Sequence, residues 1–343
     1  MHMCVEKFYE ICVVIPAYNR TTELQELLES IANQQVMPAS VLVVEDDSPE
    51  RKNIATICRA WKEKFSLVGV ELKYVENPVN LGFDANVRQC LDLCEQRWAL
   101  LMGNDDLLLP NAIDAVRDFV MNHPVMMVSR SFIRFDKDIS RPLGVSSLSK
   151  EDMIYRAGFS DPKYLFRCSA FIGGLVLDTF ECKKIATLKY DGSLYYQIYL
   201  AAVAFCTTGI GYISQPTVGG RAGNPPMFGS AKNEVGVHIP GSYTANSRRA
   251  MWKGVLHIAK DIGNEFDFDL YTQIKKELTI RQSFHIFEMN VSATKDELLR
   301  LRAMLVSLDL YSHWLPKVFF TINYIAGRRA DFIYAAVRYV FQR

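Results

Sequence analysis

Short apolar runs alternate regularly with helical segments over the first third of this chain. The runs are rich in β-branched residues and lie at residues 11–16, 41–45, 70–75 and 98–102. Such runs are typical of buried strands, and strands that alternate with helices build a parallel sheet. The alternation therefore predicts an α/β fold with a doubly wound, mostly parallel sheet and helices on both faces.

Four helices are predicted within this alternation. The first begins at Thr21 or Thr22, whose hydroxyl can cap a helix N-terminus, and the others begin near Ser48, Asn86 and Pro110. One face of the first helix is apolar and carries Leu24, Leu27, Leu28 and Ile31. We expect that face to be buried.

Polar residues follow each of the four predicted strands. They are Pro16, Ala17, Tyr18, Asn19 and Arg20 after the first strand, Glu45, Asp46, Asp47 and Ser48 after the second, Asn80, Gly82 and Asp84 after the third, and Gly103, Asn104, Asp105 and Asp106 after the fourth. Open α/β sheets bind ligands at the carboxyl ends of their strands, so we expect these clusters to converge. Ordinary turns are the alternative for any single residue, because Asn, Asp and Gly are common turn formers.

The residues after the first strand exclude two common kinds of phosphate site. They read PAYNRT, without the glycines of a dinucleotide-binding turn, and the chain has no P-loop motif. A pair of aspartates at a strand end can instead hold Mg²⁺ or Mn²⁺, which bridges diphosphate oxygens. The residues therefore indicate a metal-bridged nucleotide diphosphate, with the ion stabilising a diphosphate leaving group.

Four motifs in order carry a family resemblance: VVIPAYNR, VVEDDSP, NLGFDAN and LMGNDDLLLP. Over about residues 11–120 they resemble the nucleotide-binding half of family 2 glycosyltransferases with the GT-A fold, in particular a bacterial subset that builds surface polysaccharides. The resemblance implies an inverting, metal-dependent transfer of a sugar from a nucleotide-diphosphate donor to a lipid-linked saccharide acceptor, in O-antigen or capsule synthesis.

The resemblance also implies roles for the donor-side residues. Ala17 and Tyr18 would line the base and ribose, and Asp46 would contact the base. Asp105 would be a metal ligand for Mg²⁺ or Mn²⁺, and Asp106 a second or alternative one.

The remaining donor-side candidates lie in the same four segments: Pro16, Asn19, Arg20, Glu45, Asn80, Gly82, Asp84, Asn86 and Asn104. Two of the family's acids are replaced, one by Glu45 and one by Gly103. Capping of its own helix is the alternative role for Asn86.

The catalytic base is harder to identify because the family's usual Glu-Asp pair is not visible. Asp191, in YDGS ahead of an apolar helical run, occupies the corresponding place. It would deprotonate the acceptor hydroxyl that attacks and inverts the anomeric carbon, and a helix N-cap is the alternative role. Arg221 would bind the diphosphate. The loop at 221–240, which contains His238, is predicted to be a mobile lid, with a plain surface loop as the alternative.

We divide the chain into a nucleotide-sugar-binding half at residues 1–125, an acceptor-side half at 126–245 and a helical C-terminal region at 246–343. Residues 192–220 carry no charge and are long enough to span a bilayer, but a Thr-Thr-Gly break favours a buried helix followed by a buried strand. From residue 250 onward the strand pattern gives way to helical spacing.

The C-terminal tail, residues 314–343, differs from the rest in charge. It carries a net charge of +4, so the other residues carry −3 of the total of +1. One face of the predicted last helix holds Phe332, Ile333, Ala336, Val337, Val340 and Phe341, and the opposite face holds Arg328 and Arg338. A basic, aromatic, amphipathic helix predicts binding to an anionic membrane surface. Packing on the protein, or a homo-oligomer contact, is the alternative.

Composition excludes other classes. The near balance of charge argues against a nucleic-acid partner, and 49% hydrophobic residues argue against disorder. The eight cysteines include no CxxC pair and are expected to be free thiols in a reducing compartment. No basic segment leads into an apolar run at the N-terminus, so we expect a cytoplasmic protein, peripheral on the inner face of the cell membrane.

Two other functions stay open on the sequence alone. A sugar nucleotidyltransferase would make the activated sugar, but it would normally need a Gly-rich basic loop that PAYNRT does not provide. A non-catalytic module that binds nucleotide sugars is the second, since the usual Glu-Asp pair is missing.

Overall fold

The computed structural model describes residues 6–341, with side chains for residues 7–336. The chain forms two compact units, which divide between Ser242 and Tyr243. Each unit has its own core.

The first unit is built on one sheet of ten strands. The strands are β1 (Glu6–Ala17), β2 (Val36–Glu45), β3 (Glu71–Glu76), β4 (Trp98–Leu101), β5 (Leu107–Leu108), β6 (Met127–Phe135), β7 (Gly144–Ser146), β8 (Met153–Tyr155), β9 (Leu175–Asp178) and β10 (Ile210–Arg221). The helices of this unit are α1 (Thr21–Ala32), α2 (Arg51–Leu67), α3 (Phe83–Leu93), α4 (Ala112–Asn122), α5 (Lys163–Ser169), α6 (Thr179–Lys184) and α7 (Tyr196–Cys206).

The sheet contains parallel strands on either side of one central antiparallel strand, β9. Its order is β3-β2-β1-β4-β9-β6-β10-β5, with β7 on β6 and β8 on β10. Parallel pairs join β1 to β2 and β4, β2 to β3, and β6 to β10, whereas β9 is antiparallel to both β4 and β6. The carboxyl ends of β1, β2, β3, β4, β6 and β10 therefore lie on one edge of the sheet, here called the carboxyl edge. The predicted α/β architecture is confirmed.

The predicted helices are all present; α1 begins at Thr21 as predicted, and the starts of the other three are shifted. The face of α1 is fully buried as predicted, at Leu24, Leu27, Leu28 and Ile31. The threonine cap is wrong: the N-cap residue is Arg20, because its left-handed backbone (φ 62°, ψ 51°) turns the chain into the helix before Thr21. α3 begins at Phe83, earlier than predicted, so Asp84 and Asn86 are helical.

The uncharged stretch at 192–220 is a helix followed by a strand, as predicted. Tyr196–Phe205 of α7 is buried throughout, and β10 pairs with β6 inside the sheet. Within residues 6–341, the helices are too short or too polar to cross a membrane. The seven cysteines with described side chains are free thiols, whereas Cys4 lies outside the described residues.

The second unit is helical, as predicted. It consists of α8 (Ala245–Phe266), α9 (Leu270–Glu277), a π-helical turn (Leu278–Gln282), α10 (Ser283–Met289), α11 (Lys295–Ser307), α12 (Trp314–Ala326) and α13 (Ala330–Phe341). Its core contains Met251, Val255, Leu256 and Ile258. In α13, Tyr334 is buried and its hydroxyl donates to Asn323 Oδ1 of α12 at 2.8 Å. The side chains of Val337, Arg338, Val340 and Phe341, part of the predicted amphipathic helix, lie outside the described residues.

Candidate active site

Asp46 ties the ends of neighbouring strands together at the carboxyl edge. It follows β2 directly, and its N–H donates to the carbonyl of Ala17 at the end of β1. Its Oδ1 accepts hydrogen bonds from Asn77 Nδ2 at 2.8 Å and from the Leu81 N–H at 2.9 Å. Its Oδ2 accepts one from the Gly82 N–H at 3.0 Å. Burial raises the pKa of this carboxyl, and these hydrogen bonds oppose the rise. Asp46 thus fixes the turn after β3 against the end of β2.

Glu45, the last residue of β2, is fully buried and bonded within its own turn. Its carboxylate accepts from the N–H groups of Asp47 at 3.0 Å and Ser48 at 2.7 Å. It also pairs with Arg51 Nε at 2.7 Å. Because the chain folds around Glu45 here, α2 begins at Arg51 rather than near Ser48. These contacts assign Glu45 to the turn itself.

The turn after β1 has a strained backbone and is held by the segment after β4. Asn19 and Arg20 have φ of 53° and 62°, and left-handed backbone costs about 1–2 kcal/mol at a residue with a side chain. Asn104 Nδ2 donates to the carbonyls of Asn19 at 3.0 Å and Tyr18 at 3.4 Å. Pro16 and Tyr18 stay partly exposed beside this contact.

Asp105 contacts side chains from three other parts of the unit. Its Oδ2 lies 2.6 Å from Arg20 Nη1 and accepts a hydrogen bond from Asn224 Nδ2 at 2.9 Å. Its carbonyl accepts one from Arg221 Nε at 2.9 Å. The Asp105 side chain is 14% exposed, so it is the more accessible of the two adjacent aspartates.

Asp106 is buried beside the end of β10. Its Oδ1 accepts a hydrogen bond from the Arg221 N–H at 3.1 Å. Burial, followed by the charge of Asp105, raises the pKa of Asp106 to about 8, while the charges of Arg130 and Arg20 oppose the rise. Sequence reasoning missed Arg130, whose signal was a single charge inside the apolar run VMMVSRSF.

Gly103 and Gly173 leave space for the Asp106 carboxylate. A Cβ at Gly103 would lie 2.6 Å from Asp106 Oδ2, and a Cβ at Gly173 would collide with the same oxygen and lie 2.9 Å from the Phe171 ring. The glycine that replaces a family acid at position 103 therefore makes room for the Asp106 carboxylate.

The aspartate pair fits a metal ion that arrives with phosphates. Among the residues with described side chains, no group of three or more His, Cys, Asp or Glu could hold an ion. Mg²⁺ usually binds through one or two carboxylates and substrate phosphates rather than an all-protein cage. Asp105 and Asp106 can supply those carboxylates, with Asp105 exchanging its contacts to Arg20 and Asn224.

Arg221, the last residue of β10, contacts both aspartates and α1. Its guanidinium pairs with Glu26 and lies 4.6 Å from the Phe135 ring centre. Arg20 and Arg221 therefore place two positive charges beside Asp105.

Asp84 is buried in α3, and both its oxygens contact residues 193–196. Oδ2 accepts a hydrogen bond from the Leu194 N–H at 2.8 Å and Oδ1 one from the Tyr196 N–H at 2.9 Å. Burial raises the pKa of Asp84 to about 7 against these bonds. Its contacts hold that segment, and its place near the nucleotide or sugar stays a prediction.

Asn86 joins α3 to β2. Its Nδ2 donates to the Val44 carbonyl at 3.2 Å, and its Oδ1 accepts from Asn77 Nδ2 at 3.1 Å. It does not cap its own helix, because α3 begins at Phe83 with Gly82 as the N-cap residue.

Asp191 pairs with Arg88 of α3 through both carboxylate oxygens. Arg88 Nη1 donates to Oδ1 at 2.5 Å and Nη2 to Oδ2 at 2.9 Å. The alternative role of helix cap is wrong, because the N-cap residue of α7 is Tyr195. The structure thus separates two groups: Asp46, Asn104, Asp105 and Asp106 meet at the carboxyl edge, and Asp84 and Asp191 meet beside α3.

The loop at 222–242 is attached to the start of α3. Glu234, which sequence reasoning missed, is buried and accepts hydrogen bonds from the Phe83 N–H at 2.9 Å and the Gly229 N–H at 2.6 Å. Gly82, whose N–H also donates to Asn80 Oδ1 at 3.0 Å, has φ of 87°. A Cβ there would lie 2.8 Å from Glu234 Oε1. His238 of the same loop is buried, and burial lowers its pKa. The predicted mobility of the loop stays a prediction.

Residues 12–175 match the model of the family described as Glycosyl transferase family 2. The abequosyltransferase RfbV of Salmonella typhimurium is 26% identical over 62% of this chain and 67% of its own length. The amylovoran biosynthesis glycosyltransferase AmsE of Erwinia amylovora is 27% identical over 54% of this chain and 66% of its own length. The matches thus span about two thirds of each relative.

Solved structures share the fold at low sequence identity. Residues 1–349 of TarS from S. aureus, in complex with UDP-GlcNAc, superpose with a TM-score of 0.62 at 16% identity, over 94% of this chain and 90% of that one. The mannosyltransferase PcManGT from Pyrobaculum calidifontis, in complex with GDP-Man and Mn²⁺, superposes with a TM-score of 0.51 at 13% identity, over 98% of this chain and 88% of that one.

Proposed function

Because the chain carries a family 2 glycosyltransferase domain with the GT-A fold, we propose that it transfers a sugar from a nucleotide-diphosphate donor to a lipid-linked glycan and inverts the anomeric carbon. The observation that carries this proposal is the meeting of Asp46, Asn104 and the Asp105–Asp106 pair at one edge of the sheet. The names of RfbV and AmsE support a role in bacterial surface-polysaccharide synthesis.

The donor nucleotide is proposed to bind along the ends of β1, β2 and β4. Tyr18, Asp46 and Asn104 would hold the base and ribose; the other members of the site are Pro16, Ala17, Asn19, Arg20, Glu45, Asn80, Gly82, Asp84 and Asn86. Asp46 and Asn104 already position the backbone of two turns, so they shape this surface whether or not they touch the nucleotide. The complexes of TarS with UDP-GlcNAc and of PcManGT with GDP-Man support a nucleotide-diphosphate sugar.

Asp105 and Asp106 are proposed to hold Mg²⁺ or Mn²⁺ together with the donor diphosphate, and the Mn²⁺ of PcManGT supports this choice. The ion would neutralise charge on the diphosphate oxygens as they leave. Arg20 and Arg221, which contact Asp105 in the structure, would then be available to the phosphates as guanidinium donors.

Asp191 is proposed to act as the general base. It would take the proton of the acceptor hydroxyl while that oxygen forms a bond to the anomeric carbon and the bond to the diphosphate oxygen breaks. A carboxylate has about four lone-pair positions, and a guanidinium that binds both oxygens uses two of them. Asp191 therefore keeps acceptor capacity while paired with Arg88.

The C-terminal tail is proposed to bind an anionic membrane surface. In α12, Trp314 and Ile325 are 63% and 79% exposed, and in α13 Phe332 is 82% exposed. Exposed Arg328 and Arg329 lie between these two helices. Apolar and basic side chains together suit an anionic bilayer surface.

Vesicle binding tests the tail with a variant that keeps both helices. The triple change Trp314→Ser, Ile325→Ser and Phe332→Ser should reduce co-sedimentation with phosphatidylglycerol vesicles several-fold, and phosphatidylcholine vesicles serve as the uncharged comparison. Equal sedimentation of both proteins would remove the membrane assignment. A loss of dimer mass in light scattering would instead assign these side chains to a homo-oligomer contact.

The function itself is tested by ligand binding and product analysis. Nucleotide sugars with Mg²⁺ or Mn²⁺ should raise the unfolding temperature, because a ligand that binds the folded state stabilises it. The sugar that does so should release a nucleoside diphosphate during turnover. Release of pyrophosphate from a nucleoside triphosphate and a sugar 1-phosphate would instead identify a nucleotidyltransferase. Binding without turnover on a lipid-linked acceptor pool would identify a non-catalytic module.

A further inference from the structure

One face of α3 holds the segment of residues 187–196 that carries Asp191. Asp84 and Arg88 are four residues apart in α3 and therefore lie on the same face of the helix. Arg88 binds the first half of the segment, since Nη1 donates to the Thr187 carbonyl at 3.2 Å and the guanidinium binds Asp191. Asp84 binds the second half through the Leu194 N–H at 2.8 Å.

The segment needs such support because its backbone is strained. Leu194 is buried and has φ of 58°, two residues after Gly192 at 84°. Left-handed backbone costs a residue with a side chain about 1–2 kcal/mol, and strain of this kind is concentrated at functional sites. The Asp84 carboxylate accepts a hydrogen bond from the N–H of the strained residue itself, and thereby stabilises that conformation.

The same helix is attached to the donor side. The N–H groups of Leu81 and Gly82, just before α3, donate to Asp46 at the end of β2. A single helix therefore connects the proposed nucleotide contact with the proposed base.

We propose that Arg88 is a positioning residue for Asp191, with Asp84 holding the backbone of the same segment. This inference rests on the proposed role of Asp191 as the base. A guanidinium binds both oxygens of a carboxylate and so fixes the plane of the carboxyl group as well as its position. An error of about 1 Å in the position of a catalytic group can cost on the order of 10²-fold in rate.

Steady-state kinetics of Arg88 variants test the proposal. The probe is release of nucleoside diphosphate from the nucleotide sugar that wild-type protein turns over, with water as the acceptor. Arg88→Ala should lower kcat about 10- to 100-fold and leave the donor KM within about twofold, because the base and not the donor is displaced. Ethylguanidinium should restore part of the kcat that Arg88→Ala loses. Arg88→Lys should have a lower kcat than wild type, since an ammonium cannot bind both oxygens of the carboxylate.

Matched variants separate positioning from folding. Arg97→Ala removes an arginine that pairs with Asp178 at 3.1 Å, on the side of β4 away from the carboxyl edge, and should leave kcat unchanged. Arg88→Ala combined with Asp191→Asn should be no slower than Asp191→Asn alone, because both changes remove the same function.

Different failures have different meanings. Two results for Arg88→Ala would overturn the positioning role and leave the glycosyltransferase proposal standing. The first is a wild-type kcat. The second is a loss of kcat that ethylguanidinium does not restore and that adds fully to the loss caused by Asp191→Asn. Full activity of Asp191→Asn would remove the base assignment and the inference with it. A wild-type protein that releases no nucleoside diphosphate from the UDP-, GDP-, CDP- and TDP-sugars, with a lipid-linked acceptor pool present, would overturn the proposed function first.

Discussion

The carboxyl edge and segment 187–196 hold their carboxylates by different means. At the edge, Asp46 and Asp106 are held mainly by backbone N–H groups at strand ends and in the adjoining turns. In segment 187–196, Asp191 is held by the side chain of Arg88, which lies 103 residues away in the sequence. The contacts of Asp46 and Asp106 therefore follow from strand pairing and the adjoining turns, whereas that of Asp191 depends on how α3 packs beside the segment.

This difference separates the effects that mutations should have. A change at the proposed donor and metal contacts of the edge should leave the sheet intact. A change in α3 should leave those contacts in place and displace the proposed base.

Removal of the Asp105 carboxylate is expected to have the largest effect. Asp105→Asn should lower turnover on the order of 10²–10³-fold, because charge that stabilises a leaving diphosphate through an ion is worth that much. Its side chain is partly exposed, so stability should change little. The measurement is turnover as a function of Mn²⁺ concentration, with Asp114→Asn, which removes a surface ion pair with Arg117, as the control. Turnover above half of the wild-type value would remove Asp105 from the metal site.

The sheet and the carboxyl edge were predictable because their signals are local. Each strand is an apolar run, each turn follows it directly, and parallel pairing brings the strand ends together without further information. Asp46, Asn104, Asp105 and Asp106 each follow a strand that ends at the carboxyl edge, and their roles in binding stay predictions.

Contacts between distant parts of the sequence were not predictable in the same way. The pairing of Arg88 with Asp191, and of Glu234 with the N–H of Phe83 151 residues away, depends on how α3 packs. Nothing near Asp84 in the sequence shows that its carboxylate binds Leu194 and Tyr196. The starts of α2 and α3 differ from the predicted ones for a related reason. The carboxylates of Glu45, Asp46 and Glu234 accept hydrogen bonds from N–H groups of the turns and helix ends at these two places.

Replacement of Gly82 tests the turn between Asp46 and α3, which the two regions share. We expect an intermediate effect, on stability. Gly82→Ala should lower the free energy of unfolding by about 1–3 kcal/mol, because φ of 87° strains alanine and its Cβ would lie 2.8 Å from Glu234 Oε1. Amide hydrogen exchange should rise at residues 229–234 as well as at 81–83, since the loop loses its attachment.

Gly158→Ala is the matched control for this prediction. Its φ is 80°, and a Cβ there would meet nothing within 4 Å. It therefore reports the backbone strain alone, and the difference between the two variants reports the contact with the loop. Equal losses of stability, with unchanged exchange at 229–234, would show that the loop is not held through Gly82.

The pH dependence of stability distinguishes the buried acid of α3 from exposed ones. Burial raises the pKa of Asp84 to about 7, whereas an unfolded Asp titrates near 3.9. Between these values the folded state binds the extra proton, so the free energy of unfolding falls as pH rises from about 4 to about 7. Asp106, with a pKa of about 8, contributes a fall of the same sign in both wild type and variant.

Asp84→Asn removes this titration and should therefore flatten the curve. Asparagine has one acceptor oxygen for the N–H groups of Leu194 and Tyr196, so the variant should be less stable at pH 4.5 by about 1–3 kcal/mol. Because only the wild type loses stability through Asp84 as pH rises, the two urea-unfolding curves should converge toward pH 7. Asp118→Asn, on the exposed surface of α4, should give a curve parallel to the wild type. A difference between Asp84→Asn and wild type that stays constant from pH 4.5 to 8 would mean that Asp84 is ionised throughout this range. Segment 187–196 would then be bound to α3 by a charged carboxylate.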